Sequence, residues 1–313
     1  MDVMILAGGL SHERDVSLRS GRRVLDSLRD LGDNVSLNDV DADLIPSLRS
    51  LDVDVVWPIV HGASGEDGSL QGLLEMLGVA YVGTAAKEAR VAWIKPVAKA
   101  VLARAGIATP DFVTLPQSLF REAGAEHVLA ALAERFGLPV VVKPASGGSA
   151  LGVTLVTKPD DLAHALVHCF AYGDIALIER AVTGTEVAVS VLGEGDSART
   201  LPGVEIVCDG PYDYDARYNP GRVEYFAPAR LSPQMADAVA NTALATHREL
   251  GLRDLSRIDV IVAEDGTVNV LDVNVVPGLT EVSLFPQAVA AAGLELGQLY
   301  REILAGAVAR GAA

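Results

Sequence analysis

Short continuous apolar runs alternate with longer stretches of helical spacing from the first residues onward. Residues 3–6 form such a run and end at Gly8-Gly9, the pattern of a buried parallel strand entering a tight turn. Residues 16–31 then carry apolar positions at helical spacing. A second strand is predicted over 53–60, ending at His61-Gly62, followed by a helix over 70–77 and a strand over 79–82. This βαβ rhythm predicts a small parallel-sheet domain, whose ligands gather beyond the carboxyl ends of the strands. Both glycine-marked ends fall there.

Residues 86–106 read as one long helix carrying Lys95 and Lys99. Strands over 140–143 and 152–156 follow, joined by Pro144-Ala-Ser-Gly-Gly-Ser-Ala150. A helix over 159–170 and a strand over 176–179 complete a second α/β unit. Strands dominate after Thr183, over 186–192, 203–207 and 223–227. A helix over 233–250 precedes strands over 256–262 and 268–273, whose connection Ala263-Glu-Asp-Gly-Thr267 is a hairpin signal. A last helix is predicted over 284–309. Domain boundaries are expected near Ala86 and Thr183, and no repeat or low-complexity tract appears.

Composition narrows the function. The 313 residues exceed one typical domain. A net charge of −16 argues against general binding to nucleic acid or an anionic membrane, which reward clustered Lys and Arg. A small anionic ligand held by a few placed cations or a metal remains compatible. Cys169 and Cys208 have neither disulfide-framework nor metal-ligand spacing and read as buried free thiols. The N-terminus has no basic segment before an apolar core, and no uncharged apolar run is long enough to span a membrane, so a cytoplasmic protein is expected.

Candidate chemistry concentrates in six segments. In Ser256-Arg-Ile-Asp259 with Leu271-Asp-Val-Asn274, the side chains of Asp272 and Asn274 leave one face of a strand. A normally paired hairpin would bring Asp259 beside them. This all-oxygen set suits Mg²⁺; a solvated acidic sheet face is the other reading. Lys143 ends an apolar strand before a Gly-rich loop whose amides could approach an anion, although such a loop also fits an ordinary hairpin. Glu179 ends a strand that could serve an adenosine, its carboxylate accepting from ribose hydroxyls, or is simply an exposed strand end. Glu13, in Gly8-Gly-Leu-Ser-His-Glu13-Arg-Asp-Val-Ser17, could receive an ammonium, where N-capping by Ser or Asp is the plainer account. His61 stands at a strand end beside Gly62, as a catalytic or a structural histidine. Tyr212-Asp-Tyr-Asp-Ala-Arg217-Tyr218 reads as a mobile lid that excludes water, or as a surface loop.

In order and spacing these segments resemble the D-alanine–D-alanine ligases of the ATP-grasp superfamily, over nearly the whole chain. Further signatures are His61-Gly-Ala-Ser-Gly-Glu-Asp-Gly-Ser-Leu-Gln-Gly72, Tyr81-Val-Gly83, Gly148-Ser149 and Pro277-Gly-Leu-Thr280. The resemblance implies an α/β, partly α+β, ATP-grasp fold. Its domains would be an N-terminal Rossmann-like substrate domain over 1–86, a central lid-like domain over 87–182 and a catalytic domain over 183–313. It implies ligation of two D-alanine molecules through an acyl phosphate, supplying a peptidoglycan precursor, with ATP and two Mg²⁺ (or Mn²⁺). A homodimer is the family expectation. A different second substrate, D-serine or D-lactate, and a non-catalytic nucleotide or amino-acid sensor are the alternatives.

Residue by residue, the resemblance places Lys95, Lys143, Glu179, Arg180, Val182, Glu186 and Arg217 with ATP. Asp259, Asp272 and Asn274 would hold metal. Glu13, Ser149 and Tyr218 would form a hydrogen-bonded trio, with Glu13 taking the first amino acid's ammonium. Arg257 and the Gly278 backbone would stabilise the tetrahedral oxyanion, with His61 on the substrate side. Ser283 and Leu284 would receive the second amino acid's carboxylate. Three departures stand out. The family usually has Glu at Asp272, Asp at Ile94 and Lys at Arg217. They put rate and metal affinity in question more than the class of function.

Overall fold

The computed structural model describes residues 1–208 and 223–312. The chain opens with β1 (Asp2–Leu6), α1 (Arg14–Asp30), β2 (Asn34–Asn38), α2 (Leu44–Ser50) and β3 (Val55–Pro58). The three strands form a parallel sheet in the order β2-β1-β3. Short helices α3 (Ala63–Glu66) and α4 (Ser69–Met76) follow. Alternation along the strands divides the side chains between two cores. Met4, Leu6 and Val56 pack with Leu44, Leu74 and Tyr81. Val3, Ile5 and Trp57 pack on the opposite side with Leu28, Tyr300 and Leu304. The expected strand over 79–82 is reduced to a single bridge, Tyr81 beside Val56.

The long helix expected over 86–106 is two helices, α5 (Ala86–Trp93) and α6 (Lys95–Arg104). Ile94 between them is extended, with φ −89° and ψ 90°. Pro96, in the first turn of α6, has no amide to give to a continuous helix. The break lets the Lys95 amide donate to Ala145 O at 2.9 Å, tying α6 to the glycine-rich loop. Both helices pack against the large sheet described below, through Ala89, Ala92, Ala98 and Leu102.

The middle of the chain supplies β4 (Phe112–Pro116), α7 (Gln117–Glu122), α8 (Ala125–Phe136), β5 (Val140–Pro144), β6 (Thr154–Val156), α9 (Leu162–Phe170) and β7 (Ile175–Arg180). Its antiparallel sheet has the order β4-β7-β5-β6. The last third gives β8 (Gly184–Leu192), β9 (Arg199–Thr200), β10 (Val204–Cys208), β11 (Val223–Phe226), α10 (Pro233–Glu249), β12 (Leu255–Ala263) and β13 (Val268–Asn274). These strands form the large antiparallel sheet β11-β10-β8-β12-β13, with β9 on β8.

The final expected helix also divides, into α11 (Leu284–Ala291) and α12 (Leu296–Arg310), at Gly293 with φ +68°. Helix α12 returns to the first sheet. Tyr300 meets Trp57 edge to face at 5.3 Å between ring centres. Arg310 forks onto Asp254 at 2.8 and 2.7 Å and donates to Tyr81 O. Asp254 also accepts the Gly83 amide at 2.7 Å, so the end of the helix clamps the strand ends of two sheets.

Candidate active site

The hairpin of β12 and β13 carries the chemistry. Arg257 stands opposite Asn274 and Asp259 opposite Asp272, and a register irregularity follows between Asp259 and Val260. Opposed residues share a face, as do residues two apart, so all four side chains rise from one side of the sheet. Across from them lie Val141 and Glu179, opposed on β5 and β7, with Lys143 two residues beyond Val141. Between the two sheets is a cavity of about 340 Å³. Trp93, Val141, Leu155 and Ile261 give it apolar walls, while Lys95, Lys143, Asp259 and Asp272 give it charge.

The charges arrive already paired. Lys143 Nζ is 2.5 Å from one Glu179 oxygen and Lys99 Nζ is 2.9 Å from the other. Lys95 reaches Asp272 at 2.6 Å. Arg257 forks onto Asp259 at 2.7 and 2.8 Å. Burial by itself would raise the Glu179 carboxyl, but Lys143 and Lys99 outweigh it and hold it below the usual carboxylate range. The partial burial of Asp272, whose side chain is 35% exposed, is likewise outweighed by Lys95 and Lys143, which hold its carboxyl down. Burial pushes the Lys99 ammonium down to about 8 against the pull of Glu179. Removing Glu179, whose side chain is only 3% exposed, leaves two buried ammonium groups without their carboxylate, a loss of about 3–5 kcal/mol.

The Glu179 carboxylate is buried and shared by two lysines, and it still lines the cavity. Glu186, opposite Ile261 on β8, is another carboxylate on the cavity wall, near Arg180 and Val182.

A second pocket of about 60 Å³ adjoins the first. Ser149, Gly148, Glu66, Arg257 and Asn274 line both, so the two are continuous. Most of the remaining wall comes from the ends of elements, with Val16 of α1 and Tyr225 of β11 beside them. Glu13 precedes α1 and accepts a hydrogen bond from the Ser149 hydroxyl. His61 follows β3, with Nδ1 3.8 Å from Glu66 and a buried Nε2 that has no hydrogen-bond partner among the described residues. Gly62 beside it has φ +84°, and a Cβ there would meet Ser11 at 2.7 Å. Gly278 lies on the turn after β13. Ser283 is the N-cap of α11 and Leu284 its first residue. Free amides at a helix start suit a carboxylate.

The donors also fit a hard cation. Asp259, Asp272 and Asn274 offer only oxygens, from two facing carboxylates and one amide. Mg²⁺ commonly takes one or two protein carboxylates and completes its shell with phosphate and water. Among the described residues, no three His, Cys, Asp or Glu side chains converge as a metal site.

The expected residues Glu13, His61, Ser149, Arg257, Gly278, Ser283 and Leu284 thus meet at the small pocket. Lys95, Lys143, Glu179, Arg180, Val182, Glu186, Asp259, Asp272 and Asn274 meet at the wide one. Arg217, Tyr218 and the loop bearing them lie outside the described residues. Sequence reasoning names Lys99 and Glu66 without giving either a role at the site and does not reach Tyr225, which lies on β11 in the small pocket's wall. A lysine in the apolar stretch of a helix, one turn beyond Lys95, was the available signal for Lys99.

Two antiparallel sheets enclosing a cation-lined cavity, with a parallel-sheet domain closing a smaller polar pocket beside it, form an ATP-grasp architecture. A family model described as the D-ala D-ala ligase C-terminus matches residues 101–305, and one for the D-ala D-ala ligase N-terminus matches residues 34–84. A D-alanine–D-alanine ligase of Desulforudis audaxviator (strain MP104C) is 38% identical over 302 residues, 96% of each chain. One from Anaeromyxobacter sp. (strain K) is 40% identical over 306 residues, 97% of this chain and 96% of the other. The crystal structure of the Bacillus anthracis D-alanine–D-alanine ligase complexed with ATP superposes with a TM-score of 0.80 at 27% identity. It covers 99% of this chain and 97% of that one. This chain belongs to the D-alanine–D-alanine ligase family.

Proposed function

We propose that this protein joins two D-alanine molecules into D-alanyl-D-alanine at the expense of ATP, releasing ADP and phosphate. The observation that carries it is the continuity of the two pockets at Ser149, Arg257 and Asn274. A cavity with room and charge for a nucleotide opens into one sized for small amino acids.

In the first step an oxygen of the first D-alanine carboxylate bonds to the γ-phosphorus of ATP, and ADP leaves. Lys95 and Lys143 are placed to hold the phosphates beside their carboxylate partners. Bound Mg²⁺, held by Asp259, Asp272 and Asn274, would neutralise phosphate charge. Glu13 holds the first substrate's ammonium. In the second step the amine of the second D-alanine attacks the acyl carbon and the acyl–oxygen bond to phosphate breaks, the amine's proton leaving with the phosphate. Arg257 and the Gly278 amide stabilise the negative charge that builds on the former carboxyl oxygen. His61, Ser283 and the start of α11 receive the second carboxylate. Water would hydrolyse the acyl phosphate before the amine attacks, so the reaction needs water excluded where the two pockets meet.

Among the described residues no helix is long and apolar enough to cross a membrane. The reaction belongs in the cytoplasm, where ATP is supplied, and a homodimer is the assembly to test by light scattering. The deciding assay screens pairs of D- and L-amino acids for ADP release and product mass. D-alanine-dependent ADP release with a dialanine product, dependent on added Mg²⁺, is expected. ATP hydrolysis indifferent to amino acids, without dipeptide, would sink the reading.

A further inference from the structure

Behind the cavity wall lies an arrangement that charge neutralisation alone does not require. The Lys143–Glu179 pair is neutral by itself. Lys99 adds a second ammonium to the same carboxylate, so the trio carries one net positive charge. Lys99 comes from α6, its side chain only 4% exposed, and it is not among the residues lining the cavity. It is fixed on further sides: it donates to the Thr109 hydroxyl, which donates to Val270 O at 3.0 Å, and it lies 5.5 Å from the centre of the Phe112 ring. Lysine is rarely buried this fully unless a partner compensates it.

The geometry tells what the second ammonium does. Glu179 turns one oxygen to each lysine. With Lys99 engaged, Lys143 holds one oxygen of the carboxylate and donates to Leu271 O at 3.3 Å, and it lines the cavity with hydrogen-bonding capacity left for an anion. Without Lys99, Glu179 would give both oxygens to Lys143, drawing it back and cancelling its charge.

We propose that Lys99 is a positioning residue, which through Glu179 sets the placement and effective charge of Lys143 toward an anionic nucleotide. This rests on the preceding reading that Lys143 faces the ATP phosphates.

The test compares Lys99→Met, which keeps the apolar stem and removes the ammonium, with Lys99→Arg, alone and in a Glu179→Gln background. Lys99→Met is expected to raise the KM and the calorimetric Kd for ATP about tenfold, a modest coupling for a contacting pair. The KM for D-alanine and the kcat should stay within about threefold, and Lys99→Arg should recover most of the loss, since a charged donor is restored. In the Glu179→Gln background, where no carboxylate is left to divide, Lys99→Met should change ATP affinity less than about twofold. If Lys99→Met does not fold, Thr109→Val loosens the same ammonium and should weaken ATP binding in the same direction. Unchanged ATP affinity in the folded variant, or an equal loss in both backgrounds, would overturn the proposal. The calorimetric readout needs no amino acid, so it separates this outcome from a failure of the ligase reading itself.

Discussion

The wide cavity and the small pocket share a seam, yet they are built in opposite ways. The wide one is lined by side chains on paired strands, where register alone places Arg257, Asp259, Asp272 and Asn274 together. Its lysines are held by carboxylates before any ligand arrives. The small pocket is lined mostly from the ends of elements: the turns before α1 and after β3, the glycine-rich loop, the turn after β13 and the start of α11. One ladder fixes the oxygen donors of the first within a hairpin, and Lys95 and Lys143 reach it from α6 and β5. The second exists only where three parts of the chain meet. Charge changes should therefore register in the wide cavity as altered nucleotide affinity, and in the small pocket as altered amino-acid affinity.

The seam offers the largest test. Arg257→Met removes a cation common to both pockets and should lower kcat by about 10²–10³, as loss of an oxyanion donor does elsewhere. Steady-state kinetics check it: a raised KM for ATP at unchanged kcat would assign Arg257 to the wide cavity alone. A sharper division comes from Glu13→Gln, expected to raise the KM for D-alanine about tenfold, the worth of a hydrogen bond to a charged group. Its KM for ATP should hold steady, and a parallel rise in both would erase the distinction between the pockets.

The last test reads stability and leaves the kinetics aside, and it concerns the support beneath the wide cavity. His247 on α10 bonds Ser256, next to Arg257, at 2.8 Å and Gly193 O at 3.1 Å. Burial pushes its pKa down to about 4 from 6.5. The unfolded chain therefore binds the proton first as pH falls. Stability supplied by the neutral ring is intact above pH 6.5 and is lost toward pH 4, by at most about 1.4 kcal/mol per unit. Urea melts of His247→Gln should show a shallower loss between pH 7 and 5 than the parent; identical slopes would remove His247 from the account.

What could be read from the sequence follows the same division. The hairpin was legible because Ala263-Glu-Asp-Gly-Thr267 marks its turn and the flanking residues are apolar, so Asp259, Asp272 and Asn274 could be brought together in advance. The break at Ile94 was not taken, although Pro96 two residues later signals it. The strand of Val35 and Leu37 was hidden by its polar flanks. The fate of the Glu179 carboxylate was out of reach, since its partners Lys99 and Lys143 come from a separate helix and strand, and pairing depends on tertiary approach. The resemblance supplied the small pocket, whose residues no local pattern connects.

The cover that α12 provides for the first sheet also sets an order of events in time. Val3, Ile5 and Trp57 wait for Tyr300 and Leu304 before their outer face is shielded. A ribosome must therefore translate as far as Leu304 before the cover over the earliest strands is complete. Until then that apolar face is open to chaperones or to neighbouring nascent chains.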